Sequence, residues 1–405
     1  MDIRPILSTL RRHKTASALI VLEIALTCAI VCNAMFLIAT RLERMDVPSG
    51  LAESELLRIR LASTDTMANG DALTRADLAT LRALPGVKAA TTVNQVPFGD
   101  QSSISGINLD PAQATPTLRA SWYLAGDGAL ATLGLRLVEG RDFLPEEFQA
   151  QSAVEHDPNL QLPSTIVDRN TAARLFPGKS AVGQSLYVFG SKPTRIIGVV
   201  ERLAPARPDD SIHGQYSMIV PVRPAFDEGS FLVRTDPVQR VEVLRAAVAA
   251  LERADGRRIV MDQQLFSDLR SSYFEQDRWM AALLLAVCIA LLVVTAFGIV
   301  GLASFWVQQR SRMIGVRRAL GASRAQILGY FQTENFLLTS VGIGLGMAGA
   351  YAINQLLMLN YELPRLPAAY LPFGALALWA LGQIAVFGPA RRAAALPPVA
   401  VMRGA

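Results

Sequence analysis

A chain of 405 residues that is 51% apolar and only 18% charged, with a mean hydropathy of +0.30, is too apolar for an ordinary soluble protein. Its formal charge of +5 and isoelectric point near 9.3 would suit a nucleic-acid binder only if the basic residues gathered on one folded domain, and they do not. The composition points to a membrane protein.

Residues 1–15 open the chain with Ile3, Ile6, Leu7 and Leu10 at helical spacing beside Arg4, Arg11, Arg12 and Lys14, the pattern of an amphipathic elbow lying on a membrane surface. The apolar run at 16–40 exceeds the ~7 to 15 residues of a signal-peptide core, so it is expected to remain as a first span. Within it Glu23 and Asn33 are polar. Glu23 is near the basic end, where a carboxylate pairs with a neighbouring helix or reaches the headgroups. Cys28, Cys32 and Cys288 all fall in spans, which leaves no disulfide framework for the large hydrophilic stretch.

That stretch, 45–277, reads as a mixed α+β domain. A strand at 55–61, a helix at 74–84 and a strand at 87–96 are followed, much later, by strand 231–235, helix 238–253 and strand 257–262. Two strand-helix-strand units of this length predict a ferredoxin-like split βαβ lobe, with about 97–229 inserted as a second, β-rich lobe.

Three more apolar runs follow at 279–307, 334–358 and 370–388, each of spanning length. In the third span, Gly344, Gly346 and Gly349 match a dinucleotide-binding GxGxxG. They follow no strand, however, and Gly342, Gly346 and Gly349 read as small residues that let helices approach closely. Gly178-Lys179-Ser180 lacks the first glycine of a phosphate-binding loop. His13, His156 and His213 are scattered, and no catalytic, cofactor or metal site is expected in this chain.

The segment between the second and third spans, 308–332, carries Arg310, Arg312, Arg317, Arg318 and Arg324 and no acid. Together with residues 1–15 and the tail 389–405 it holds a net charge of +11, against −6 for the rest, which predicts that both termini and this loop are cytoplasmic. Gly321 suits a helix C-terminus, and Ser323 with Gln326 has the spacing of a capping box, so two short helices are expected to meet there. Ile314, Leu320, Ile327, Leu328 and Phe331 give the loop an apolar side, expected to receive a cytosolic protein.

The run Met313, Ile314, Gly315, Val316, Arg317, Arg318, Ala319, Leu320, Gly321, Ala322, Ser323 resembles the (E)IGxRxALGA(S) coupling segment of MacB/FtsX-type ABC transporter permeases, with Met313 where the family often has Glu. Residues 130–143 and 166–200 resemble that family's periplasmic domain, and 388–403 its C-terminal ending, so the resemblance covers most of the chain. It implies a four-span inner-membrane subunit with a large periplasmic domain and no ATP site of its own, ATP and Mg being bound by a cytosolic ABC ATPase dimer docked on Met313 to Ser323. It further implies a second permease copy or paralogue, a periplasmic adaptor and an outer-membrane channel, with efflux driven by mechanotransmission. The alternatives are an FtsX-like signalling subunit that activates a periplasmic hydrolase, or a lipoprotein-release permease.

Overall fold

The computed structural model describes residues 14–63, 70–156, 162–188, 190, 192–208, 215–225, 227, 229–254, 258–361 and 365–395. The elbow up to residue 13, His213 and the end of the tail from 396 lie outside the described residues. The chain divides into two compact units, residues 44–275 and a second unit made of 1–43 with 276–405.

In the first unit, β1 (Leu56–Ser63), α2 (Gly70–Arg82) and β2 (Val87–Val93) are separated from β12 (Ser230–Thr235), α6 (Arg240–Ala254) and β13 (Arg258–Leu265) by all the remaining strands. The four strands lie in the order β13-β1-β12-β2 with every pairing antiparallel. This is the expected split βαβ arrangement, and it exists because β1 alternates. Leu57, Ile59 and Leu61 face a core shared with Leu78 and Leu81 of α2 and with Val243, Ala247 and Leu251 of α6. The first helix begins at Gly70 rather than Thr74, because Thr74 turns its hydroxyl onto the Gly70 carbonyl inside the helix instead of capping it.

The inserted lobe is a seven-stranded sheet, β3-β4-β10-β7-β9-β5 with β8 added on β9. Its strands are β3 (Ile104–Ile107), β4 (Leu118–Leu124), β5 (Leu137–Gly140), β7 (Ser164–Asp168), β8 (Ser185–Leu186), β9 (Thr194–Val200) and β10 (Ser217–Val220); the short β6 (Gln149–Ala150) and β11 (Val222–Arg223) pair separately. Three short helices, α3 (Ala129–Leu133), α4 (Gln151–His156) and α5 (Arg169–Leu175), connect them, and α7 (Phe266–Tyr273) follows β13. At the end of β5, Gly140 has φ +79° and a side chain there would sit 2.1 Å from the Ile197 carbonyl oxygen, so the turn into Arg141 admits only glycine. One core joins the two lobes, with Leu56 and Leu232 of the small sheet packed among Tyr123, Ile166 and Phe266.

The second unit contains four helices long and apolar enough to cross a membrane: α1 (Lys14–Met45), α8 (Glu275–Gln309), α10 (Arg324–Tyr361) and α11 (Tyr370–Ala395). α1 is the most enclosed. Along α10, side chains on Gly342 and Gly346 would collide with Ile24 at 2.7 Å and Cys28 at 2.5 Å, while Gly349 faces Ala29. The expected packing glycines therefore seat α10 on α1. Polar pins add direction. Asn33 Nδ2 donates to the Ala29 and Ala350 carbonyls (3.0 and 3.1 Å), Thr27 and Thr295 share a hydrogen bond of 2.8 Å, and Arg41 pairs with Asp277. Glu23 is half-buried, its carboxylate resting where a side chain on Gly298 of α8 would lie, 2.6 Å from Oε2.

Candidate functional site

The arginine-rich segment is an ordered hairpin. α8 ends at Gln309, Arg310 caps the short helix α9 (Ser311–Ala319), and α10 starts at Arg324. At the end of α9, Gly321 takes φ +97°, with its N–H donating to Arg318 O (3.1 Å) and the Ala322 N–H donating to Arg317 O (3.0 Å). These two bonds form a Schellman motif, which places a left-handed residue at Gly321. Nothing lies within 4 Å of a Cβ at Gly321, so backbone conformation alone calls for glycine. Two residues later the Ser323 N–H donates to Gln326 Oε1 (2.9 Å) and the Gln326 N–H to Ser323 Oγ (3.2 Å), the reciprocal capping box. The corner is thus locked on both sides by local hydrogen bonds.

Two expectations are corrected here. The second helix of the hairpin is not short. It is the first part of the 38-residue α10, so the corner is continuous with a span. The apolar side of the loop is also largely internal: Ile314 (5% exposed), Ile327 and Phe331 pack with Ala390, Ala393 and Ala394, and Leu328 lies partly buried beside them. That contact also explains why the fourth helix does not stop at Gly388. It runs through Pro389 to Ala395, the alanine face gaining a partner that outweighs the proline's lost hydrogen bond. The Arg318 guanidinium donates to the Ala394 carbonyl at 3.0 Å and ties the same two elements.

Of the other residues singled out from the sequence, Gly315 is buried, Arg318 and Ala322 are half-buried, and Met313, Arg317, Leu320, Gly321 and Ser323 are exposed. Leu320 is 84% exposed at the tip of the corner, with Val316 one turn before it also exposed. The hairpin presents a small apolar tip framed by guanidinium groups.

A buried ion pair at the base of the hairpin escaped the sequence reading. Arg310 Nη1 donates to both Glu334 oxygens, at 3.1 and 2.9 Å, with the two side chains 7% and 2% exposed. Its guanidinium also lies 5.3 Å from the centre of the Trp306 ring. The pair bolts the α8–α9 junction to α10. A signal for it was present, since Glu334 is the one carboxylate between Asp277 and Glu362, placed at the head of an apolar run just after five arginines.

Comparison with known proteins fits this architecture. Residues 17–251 match the MacB-like periplasmic core domain, and residues 285–398 the FtsX-like permease C-terminal domain. The chain is 30% identical over 287 residues to the macrolide export ATP-binding/permease protein MacB of Chromobacterium violaceum, covering 66% of this chain and 40% of that protein. It is 26% identical over 330 residues to the protein of the same name from Agrobacterium fabrum, covering 79% and 49%. It is 23% identical over 340 residues to the ABC transporter permease YknZ of Bacillus subtilis, covering 79% and 81%. The chain thus spans about half the length, or less, of the MacB proteins it matches. Among solved structures, the periplasmic region of MacB from Actinobacillus actinomycetemcomitans aligns with a TM-score of 0.33 at 14% identity, over 57% of this chain and 97% of that one. By its periplasmic core domain, its permease domain and its four candidate spans, the chain belongs to the MacB-like family of ABC transporter permeases.

Proposed function

We propose that this chain is the noncatalytic transmembrane subunit of a MacB-like ABC transporter, in which a separate cytosolic ATPase docks on the hairpin at Gly321 and drives export from the periplasmic side. The observation that carries this reading is the corner itself. A solvent-exposed leucine stands at the tip of a turn that is rigidly capped on both sides and continuous with a span, so a force applied at Leu320 reaches α10 without a flexible joint. The Arg310–Glu334 pair, in which one guanidinium nitrogen is shared between both carboxylate oxygens, carries the same displacement to α8. The ATPase would form a dimer and bind ATP and Mg. A second permease copy or paralogue, a periplasmic adaptor and an outer-membrane channel complete the proposed assembly, set in the inner membrane with both termini cytoplasmic. The mixed-charge, net negative composition outside the arginine-rich segments supports that orientation.

Two measurements test it. Thiol labelling of whole cells should reach a cysteine at Val238, which is 91% exposed in the extramembrane unit, and not one at Leu320; the reverse pattern removes the topology. Purification of the complex from its native membrane should recover a nucleotide-binding subunit. Recovery of a periplasmic hydrolase without any transported substrate would support the signalling alternative instead.

A further inference from the structure

Between α9 and the first turns of α10 lies a cleft of about 90 Å³ whose lining includes Arg310, Arg317 and Gln326 over a floor that contains Met313, Tyr330 and Phe331. No carboxylate lies among its lining residues. Its donors are incompletely used. The Arg317 guanidinium stacks over the Tyr330 ring at 5.3 Å and has no ion-pair partner among the described residues. Arg310 is 6% exposed and its Nη2 has no acceptor there, its Nη1 alone being taken by Glu334. The Gln326 Oε1 accepts from Ser323, which leaves the amide NH₂ as a donor. The apolar tip at Leu320 is not part of this lining, although Met313, Arg317 and Ala322 of the adjoining segment are.

We infer that this cleft binds a phosphate group, and that the phosphate is the headgroup of an anionic phospholipid. Guanidinium groups match phosphate oxygens in geometry and charge, and a buried guanidinium nitrogen without an acceptor is stabilised by an anion brought beside it. The apolar floor selects an anion that carries hydrocarbon. The cleft also lies directly below the spans, on the arginine-rich side, where a membrane supplies such a molecule. The inference rests on the proposed topology only for which leaflet supplies the lipid.

The test uses the full-length protein, purified in detergent and equilibrated with equal amounts of phosphatidylglycerol and phosphatidylcholine, with lipid retention read by native mass spectrometry. The wild type should retain phosphatidylglycerol at least fivefold over phosphatidylcholine. Arg317→Ala should abolish that preference, whereas Arg324→Ala, an exposed arginine of the same hairpin outside the cleft, should preserve it. Equal retention of the two lipids by the wild type overturns the proposal, as does an equal loss in both variants, which would indicate bulk charge. Displacement of the lipid by millimolar inorganic phosphate would assign the cleft to a soluble anion and overturn the lipid source. Displacement by the bound ATPase would assign it to a protein partner. Co-purification of the ATPase is scored in the same samples, so a protein that keeps its ATPase while showing no lipid preference contradicts this inference and leaves the proposed function standing.

Discussion

Asp77–Arg258 in the extramembrane unit and Glu334–Arg310 in the membrane unit are both buried arginine–carboxylate pairs, yet they sit in different surroundings. The first joins α2 to β13 across 181 residues of sequence, inside a lobe already closed by strand pairing and by the apolar core of Leu57, Phe231 and Leu251. The second joins residues 24 apart, between helices whose apolar surfaces would be as well served by lipid as by one another. Burial drives the association of the outer lobe. In the bundle, association depends on close approach at glycine and on a few polar contacts, so each polar contact there has fewer substitutes.

The largest expected effect comes from breaking that contrast at the two ion pairs. Glu334→Ala takes the carboxylate from the buried Arg310, an expected cost of about 3–5 kcal/mol, and Asp77→Ala removes the buried carboxylate beside Arg258. The double replacements should then diverge. Asp77→Leu with Arg258→Met should return the outer lobe to near wild-type stability, because its apolar surroundings accept the new side chains. The charge exchange Arg310→Glu with Glu334→Arg should recover more than Glu334→Leu with Arg310→Met, because the pair also orients the hairpin. Thermal unfolding in detergent measures the first pair of outcomes, and a cysteine-pair distance across α9 and α10 the second. Equal recovery by both replacements at the hairpin would show that the pair has no orienting role.

A smaller effect separates glycines of one motif. Gly346→Ala would put a methyl 2.5 Å from Cys28 Cβ and is expected to cost about 1–3 kcal/mol, whereas Gly344→Ala meets nothing within 4 Å and should change stability by no more than about 0.5 kcal/mol. Comparable Tm losses for the two variants would remove helix contact as the reason for the glycine spacing.

The smallest is a pH effect confined to the outer lobe. Glu147 receives both guanidinium nitrogens of Arg141 (2.7 and 2.9 Å) together with the Leu144 N–H, and its carboxyl is held down to about 2 from an ordinary value of 4.5. The folded pKa lies below the unfolded one, so the contribution is complete above pH 4.5 and is lost as pH falls toward 2. Arg141 is half exposed, so solvent screening keeps the effect of Arg141→Ala to about 1 kcal/mol at neutral pH. The gap in stability between variant and wild type should close on acidification through that window. A gap unchanged at pH 2.5 would rule out the pair as its source.

The parts of this structure that sequence reasoning reached are those set by local chemistry or periodicity. Gly321 with the Ser323–Gln326 spacing specified the corner, and the alternation of Leu57, Ile59 and Leu61 specified a half-covered sheet. What it misread depends on a partner distant in the chain. Ile314, Ile327 and Phe331 looked like a docking face because nothing near them in sequence announces Ala390, Ala393 and Ala394, and the residues that do cover them follow a proline that reads as a stop. Arg310 looked like one more topological charge because its carboxylate is 24 residues away, at the head of what reads as a span. In the candidate site, then, the turn was legible while the division between buried and exposed faces was not.

The central claim, that an ATPase docks on the exposed tip of the corner, is tested most directly by substituting the two residues that the structure separates. Leu320→Asp alters a side chain that is 84% exposed and touches no core, so the protein should insert and fold at wild-type levels while the co-expressed ATPase fails to co-purify. Gly321→Val strains the left-handed backbone by about 1 kcal/mol or more, so the subunits should remain associated while substrate-dependent ATPase stimulation is lost. Full ATPase recovery and stimulation in both variants would contradict the account, leaving the hairpin as a topological anchor.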